Sequence, residues 1–506
     1  MAHSFQSFPE VFLSSTDLSL EISRAVKRGE LRRLSGRLYT RNLTDAPEAI
    51  IRRNLWPVVG LLFPGTVVSH RTALEMRPTE QGTIFLSGSY DRRLELPGLR
   101  IRQIKGSGPL EGDMPYIHTL HIASPARAYL EVLRSKTVRG ADSPSLPRAQ
   151  IEQKLNALIQ HFGEEKANQL RDKARTLRDA LDAPEAFTDL DALIGTLLKT
   201  RQMSLTAPSA RARAAGVPYD PYRGELFALL HAALAAWPVV PRPDPHRDPS
   251  AFANLAFMDA YFSNFIEGTE FEIEEAIDIV FRNRIPTARP EDAHDILGTY
   301  RLVGSLDEMR RSVAESRDAG ELPALLKRRH ATLLEARTDK RPGAFKQLSN
   351  RAGQTVFVSP ELVEGTLRHG WEMLRSLTEP FHRAAFVMFL VAEVHPFDDG
   401  NGRLARAMMN AELIAGDQRR ILIPTVYRED YLLALRALSR DRRAEPLLRM
   451  LNKAQEFTAR IDFADLQSAL GVLKACRAFE SDPDTILRMP TQIDPATLAT
   501  SQGRNT

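Results

Sequence analysis

Residues 386–391 (Phe-Val-Met-Phe-Leu-Val) form an unbroken apolar run, and residues 404–415 carry the period of a second helix. Between them stands Val394-His395-Pro396-Phe397-Asp398-Asp399-Gly400-Asn401-Gly402-Arg403-Leu404-Ala405-Arg406. A buried helix therefore ends, a short loop turns, and a second helix begins at the glycines. Gly400 and Gly402 permit positive φ and close backbone approach. The first N–H groups of a helix lack partners and its dipole favours anions, so Gly400, Asn401 and Gly402 predict a phosphate nest. Arg403 and Arg406 are three apart and share a helical face. Two guanidiniums beside such a nest can hold a di- or triphosphate. Asp399 offers a hard oxygen for Mg²⁺ bridging those phosphates, and His395 is the natural general base for an incoming hydroxyl. Each part is common alone. Within one loop and helix start they predict phosphate chemistry on a helical scaffold.

That scaffold is a small part of 506 residues, which is too long for one core and predicts two to four domains. With 43% apolar and 26% charged residues the chain has the balance of a globular protein. The formal charge of +4, from 68 basic and 64 acidic residues, excludes a polycation and makes any nucleic-acid surface local. Cys476 stands alone, so neither an intramolecular disulfide nor a thiolate zinc site is expected. The N-terminus lacks the pattern of a signal peptide and no window has the apolar length of a membrane span; the expectation is a cytoplasmic protein without membrane contact.

The fold expected is multidomain and mostly α. Residues 1–45 predict a winged helix-turn-helix, with a helix ending at Gly29 and two strands turning at Ser35-Gly36. Arg24, Lys27, Arg28, Arg32, Arg33 and Arg37 crowd this segment and are its candidate DNA contacts. Residues 46–135 read as a small mixed α/β module and 136–219 as a helical linker region. Residues 220–460 have helical periodicity, and 461–506 read as a C-terminal helix followed by a flexible tail.

The string at 395–406 resembles the Fic family signature, His-x-Phe-x-(Asp/Glu)-Gly-Asn-Gly-Arg-x-x-Arg, at every specified position. The resemblance implies an all-α Fic bundle over about 220–460 with a β-hairpin flap, acting as a protein adenylyltransferase. AMP would pass from ATP, with Mg²⁺, to a Ser, Thr or Tyr hydroxyl of a protein, the chain itself included. By the same resemblance His395 is the base, Phe397 anchors the loop, Asp399 holds Mg²⁺, Gly400, Asn401 and Gly402 form the anion hole, and Arg403 and Arg406 bind phosphates. Upstream, Ser263-Asn264-Phe265-Ile266-Glu267-Gly268 resembles the family's inhibitory motif, in which the glutamate pairs with the second arginine, here Arg406. Some relatives also use that glutamate to remove AMP.

Two softer likenesses accompany these. The segment carrying Gly343, Phe345, Lys346, Val356 and Phe357 resembles the target-aligning flap, and Tyr431 falls in the stretch resembling the nucleobase pocket. Residues 10–135 resemble AbiEi-type antitoxin regulators, through Gly36-Arg37-Leu38-Tyr39, Ser69-His70-Arg71-Thr72-Ala73-Leu74 and Ala123-Ser124-Pro125-Ala126-Arg127. DNA and a second copy of the chain are therefore further partners to test. The alternative is a DNA-binding regulator using the Fic part as a nucleotide sensor. Another donor, such as UTP, GTP or a phosphocholine carrier, is also compatible with the signature.

Overall fold

The computed structural model describes residues 5–135, 142–316, 318–482 and 484–490. Its chain divides into two compact units, Met1–Ala215 and Gly216–Thr506. Part of the expected linker, 136–141, and most of the expected tail, 491–506, lie outside the described residues.

The first unit opens with β1 (Val11–Leu13), α1 (Ser19–Lys27), β2 (Arg32–Ser35) and β3 (Leu38–Thr40), the strands ordered β1-β3-β2. Gly29, at φ 75, follows the end of α1, and β2 and β3 turn through Gly36 and Arg37. The predicted helix-turn-helix is corrected to one α-helix. Among the described residues before α1, Val11–Leu13 join the sheet, where Val11 faces Thr40 and Leu13 faces Leu38. Next come α2 (Pro47–Arg53), α3 (Leu55–Leu62), β4 (Val67–Val68), α4 (His70–Glu75), β5 (Thr83–Gly88), β6 (Arg92–Leu96), β7 (Leu99–Lys105), β8 (Met114–Pro115) and β9 (His121–Ile122). Strands β4 to β9 form a six-stranded sheet ordered β6-β7-β5-β4-β9-β8. β5 is buried along its whole length, as a central strand's apolar run requires. The unit ends in α5 (Pro125–Arg134), α6 (Arg148–Leu177, interrupted at Gly163), α7 (Pro184–Leu197) and α8 (Pro208–Ala214), packed around Leu155, Ile159, Leu190 and Leu193.

The second unit is helical: α9 (Pro221–Ala235), α10 (Pro249–Ile266), α11 (Ile273–Arg282), α12 (Pro290–Val303), α13 (Leu306–Met309) and α14 (Glu321–Leu333). A small hairpin follows, β10 (Arg351–Ala352) with β11 (Thr355–Val356). Then come α15 (Val363–Leu374), α16 (Pro380–Val394), α17 (Asn401–Ala415), α18 (Arg428–Asp441), α19 (Glu445–Ala459) and α20 (Leu466–Ala475). Helices apolar on every side belong inside a bundle. α16 is close to that, and α17, though it carries Arg403, Arg406, Asn410 and Glu412, is buried almost throughout beside it, with Phe386, Val387, Met388, Leu390, Leu404, Met408 and Leu413 fully buried. The loop joining them therefore rests on the buried core of the unit.

Candidate active site

His395 ends α16 in the left-handed conformation, φ 52 and ψ 61, so the chain turns sharply at this residue. Its Nδ1 lies 3.3 Å from the Ala392 carbonyl oxygen. A carbonyl can only accept, so Nδ1 carries the proton and Nε2 keeps its lone pair. The ring stacks on Phe357 at 3.8 Å and 6°. Burial pulls its pKa down to about 4, and Lys346 adds to the pull against the opposing Ala392 carbonyl, Glu267 and Asp399. The imidazole is thus neutral and basic at Nε2 at neutral pH.

The loop is fixed from below. Phe397 is fully buried and stacks on His330 at 3.8 Å and 5°. His330 donates from Nε2 to the Asp399 carbonyl (3.1 Å) and accepts at Nδ1 from Gly343 N–H (2.9 Å). Both ring nitrogens are spoken for, so a second ring proton would face an N–H; burial, the largest cause, lowers its pKa to about 4. Asn401 clamps Phe397 twice, accepting its N–H at 2.8 Å and donating to its carbonyl at 2.9 Å. The Asn401 side chain is therefore committed to loop shape, which leaves only its backbone N–H for the expected nest. Gly400 caps α17 at φ 71, and no side chain caps the helix, leaving its first N–H groups without an intrahelical acceptor.

Glu267 occupies that helix end. A Cβ built on Gly402 would lie 2.0 Å from Glu267 Oε1, so the carboxylate sits directly on the Gly402 backbone. The same oxygen accepts from Arg406 Nη2 at 2.7 Å. Ser263, four residues earlier on α10, takes two more Arg406 N–H groups, at Oγ (2.9 Å) and at its carbonyl (2.8 Å). Spacing of four on one helix puts Ser263 and Glu267 on the same face. Gly268, at φ 93, ends the helix in a conformation that L side chains rarely adopt.

Arg403 is placed differently. It is 3% exposed, pairs with Asp295 at 2.8 Å, and reaches Asp399 at 3.5 Å and Asn264 Oδ1 at 3.4 Å, while its Nε has no partner. Asp295 also pairs with Arg337 at 3.3 Å. Asp399 Oδ1 accepts from Gly400 N–H at 2.6 Å, and the side chain is partly exposed. Among the described residues no group of three or more His, Cys, Asp or Glu could hold a metal. A single reachable carboxylate suits Mg²⁺, which takes its other ligands from phosphates and water.

A cleft of roughly 530 Å³ opens beside the loop, of ligand size. His395, Gly402, Arg406, Tyr431 and Glu267 line it; Asp399, Gly400, Asn401 and Arg403 do not. Tyr431 is 1% exposed, its hydroxyl donates to Met388 Sδ at 3.4 Å, and the Arg406 guanidinium lies 5.8 Å from its ring centre. Tyr431 is thus a wall of the cleft as well as a core residue.

The expected flap is corrected in extent. Its ladder pairs only Arg351 with Val356 and Ala352 with Thr355. Phe357 follows the ladder and covers His395. Gly343, Phe345 and Lys346 lie outside the hairpin, against the loop. Lys346 N–H donates to the Pro396 carbonyl (2.9 Å), its buried amine donates to Asn350 Oδ1 (2.7 Å), and burial lowers its pKa to about 8. Phe345 packs on Phe397 at 5.2 Å. The N–H groups of Gly343 and Lys346 are spent on His330 and Pro396, so neither is free to extend a strand ladder.

His330, Asp295 and Arg337 escaped sequence reading because each comes from a different helix or turn, with no short-range spacing to flag it. In the first unit, Arg28 pairs with Glu30, Arg32 donates to the Leu43 and Asp45 carbonyls, Arg33 to the Gly36 carbonyl and Arg37 to the Ser14 carbonyl. Arg24 and Lys27 are exposed on α1. Four of the six candidate DNA contacts thus spend N–H groups within the chain. No helix among the described residues is long and apolar enough to cross a membrane.

Residues 322–413 match the model of the Fic/DOC family. A Fido domain-containing protein of Dictyostelium discoideum is 35% identical over 78 residues, 14% of this chain and 54% of that protein. A protein named adenylyltransferase Fic, from Nematostella vectensis, is 26% identical over 188 residues, 36% of this chain and 43% of that protein. The chain spans between a quarter and about a half of the length of the curated relatives it matches. A solved structure of Fic-1 from C. elegans aligns over 65% of this chain and 89% of its own at 18% identity, with a TM-score of 0.36. The chain therefore carries a Fic/Fido domain, and proteins named as adenylyltransferases are among its relatives.

Proposed function

We propose that the second unit transfers AMP from ATP to a hydroxyl side chain of a protein, and that Glu267 restrains it. One observation carries the reading: the Glu267 carboxylate lies on Gly402 and pairs with Arg406, where a triphosphate would need the nest and the cation for itself. A carboxylate there mimics the anion the helix end attracts. When Glu267 leaves, the N–H groups at the start of α17 and the Arg406 guanidinium are free to take phosphate oxygens. His395 Nε2 then accepts the proton of the incoming hydroxyl. The hydroxyl oxygen bonds to the α-phosphorus as the bond from that phosphorus to the bridging oxygen breaks, and pyrophosphate leaves. The neutral His395, held by Ala392 and Phe357, is ready for this without first losing a proton. Mg²⁺, when bound, would be held by Asp399 and would neutralise phosphate charge.

The test uses the Glu267→Gly variant with ATP labelled at either the α- or the γ-phosphate. Label retained on protein from the α position only is the expected result. Retention of γ label would mean phosphoryl transfer, and absence of both would remove the reading.

A further inference from the structure

The cleft has a second end. Arg406 and Tyr431 mark one end, and Tyr431 stands near the start of α18. Leu432, Leu435, Arg436, Ser439 and Arg440 continue along one face of that helix and line the same cleft. From Tyr431 to Ser439 is eight residues, which at 1.5 Å each is about 12 Å. That span takes a nucleotide from its phosphates to the edge of its base. The group waiting there is Glu393, 5% exposed and lining the cleft. Its Oε1 accepts from Arg223 Nε at 3.1 Å, and its Oε2 accepts from Ser439 Oγ at 2.6 Å. Each carboxylate oxygen keeps a further lone pair. The Ser439 hydroxyl donates its proton to the carboxylate, so toward the cleft it too can only accept.

We propose that Glu393 selects adenine by accepting a hydrogen bond from its exocyclic amine. This rests on the nucleotidyl-transfer reading. The electrostatics favour one base. A buried carboxylate beside an accepting hydroxyl attracts N–H groups and repels carbonyl oxygens. Guanine, cytosine and uracil each carry at least one carbonyl; adenine carries none and presents an amine. Arg223 also donates to the Val356 carbonyl of β11 at 2.6 Å, so the same carboxylate anchors the arginine that ties down the hairpin beside the cleft.

The test compares donors on the Glu267→Gly variant: ATP, GTP and purine riboside triphosphate, which lacks only the amine. ATP is expected to exceed the purine analogue in kcat/KM by about tenfold or more, the effect of one hydrogen bond to a charged acceptor. In Glu267→Gly with Glu393→Ala, that ratio is expected to fall to near unity. Loss of hairpin anchoring alone would lower all donors together and leave the ratio intact. An undiminished ratio in the double variant overturns the proposal. Equal use of ATP and the analogue by Glu267→Gly alone also overturns it, whether or not the double variant folds. Label transfer without base preference sinks only the role of Glu393; no transfer from any donor sinks the transfer reading beneath it.

Discussion

Removing the Glu267 carboxylate should tighten ATP binding about tenfold. The contact with Arg406 is a 2.7 Å hydrogen bond between charged groups. Such bonds contribute about 1.5–3 kcal/mol. The Glu267 side chain is 37% exposed, so water competes for it and the lower figure applies. Arg406 keeps both bonds to Ser263 when Glu267 is gone, so these still hold the guanidinium in position to meet a phosphate. About 1.5 kcal/mol is close to a factor of ten in Kd. The carboxylate on Gly402 also repels phosphate, which acts in the same direction and fades with added salt. Calorimetric titration with ATP and Mg²⁺ in the His395→Ala background avoids turnover. Adding Glu267→Gly should lower Kd about tenfold, and Glu267→Gln, which keeps the shape without the charge, should fall between. Equal affinities within twofold for all three would refute the competition argument.

Further expectations follow from the buried histidines and the ion pairs behind the loop. With the His395 pKa near 4, kcat/KM of Glu267→Gly should be flat from about pH 5.5 to 8 and fall on the acid side; an acid limb at the ordinary histidine value of about 6.5 would contradict the assigned burial. His330 is likewise held near 4, below its unfolded value. Its contribution is full above about pH 6.5 and is lost as pH falls toward 4, a loss of about 2–3 kcal/mol between pH 7 and 4.5. Denaturation of wild type and His330→Asn at both pH values checks this, the variant losing correspondingly less. Asp295→Ala removes the shortest charge partner of buried Arg403 and one of three carboxylates beside Arg337, and should destabilise the second unit by about 3 kcal/mol, the low end for a broken buried pair because Asp399, Glu291 and Asp339 remain, with Asp295→Asn milder. A denaturation shift under 1 kcal/mol for the alanine variant would contradict the pairing.

The second unit was more legible than the first because its signals are local. The apolar run at 386–391, the glycines at 400 and 402 and the helical spacing of Arg403 and Arg406 each act within a few residues of themselves. Ser263 and Glu267, four apart, were legible for the same reason. The six-stranded sheet was not: its parallel pairs, β5 with β7 and β4 with β9, depend on contacts between distant segments. The apolar positions from Leu18 to Val26 that suggest a helix-turn-helix all fall on or beside α1, so one helix accounts for them. In the site, hydrogen bonds decided what spacing could not. Asn401 looked like part of an anion nest but is spent on Phe397. Lys346 looked like part of a hairpin but is buried against the loop. His330 and Glu393 carry no local pattern; the first needs Gly343 and Asp399 beside it, the second Arg223 and Ser439.

The intact mass of purified Glu267→Gly after incubation with ATP and Mg²⁺, set beside Glu267→Gly with His395→Ala, bears most directly on whether an imidazole at this loop drives nucleotide transfer. A mass increase of one adenylate per modified hydroxyl in the first, absent in the second, is the predicted outcome. An unmodified mass in both, or the same adduct in both, would contradict the account.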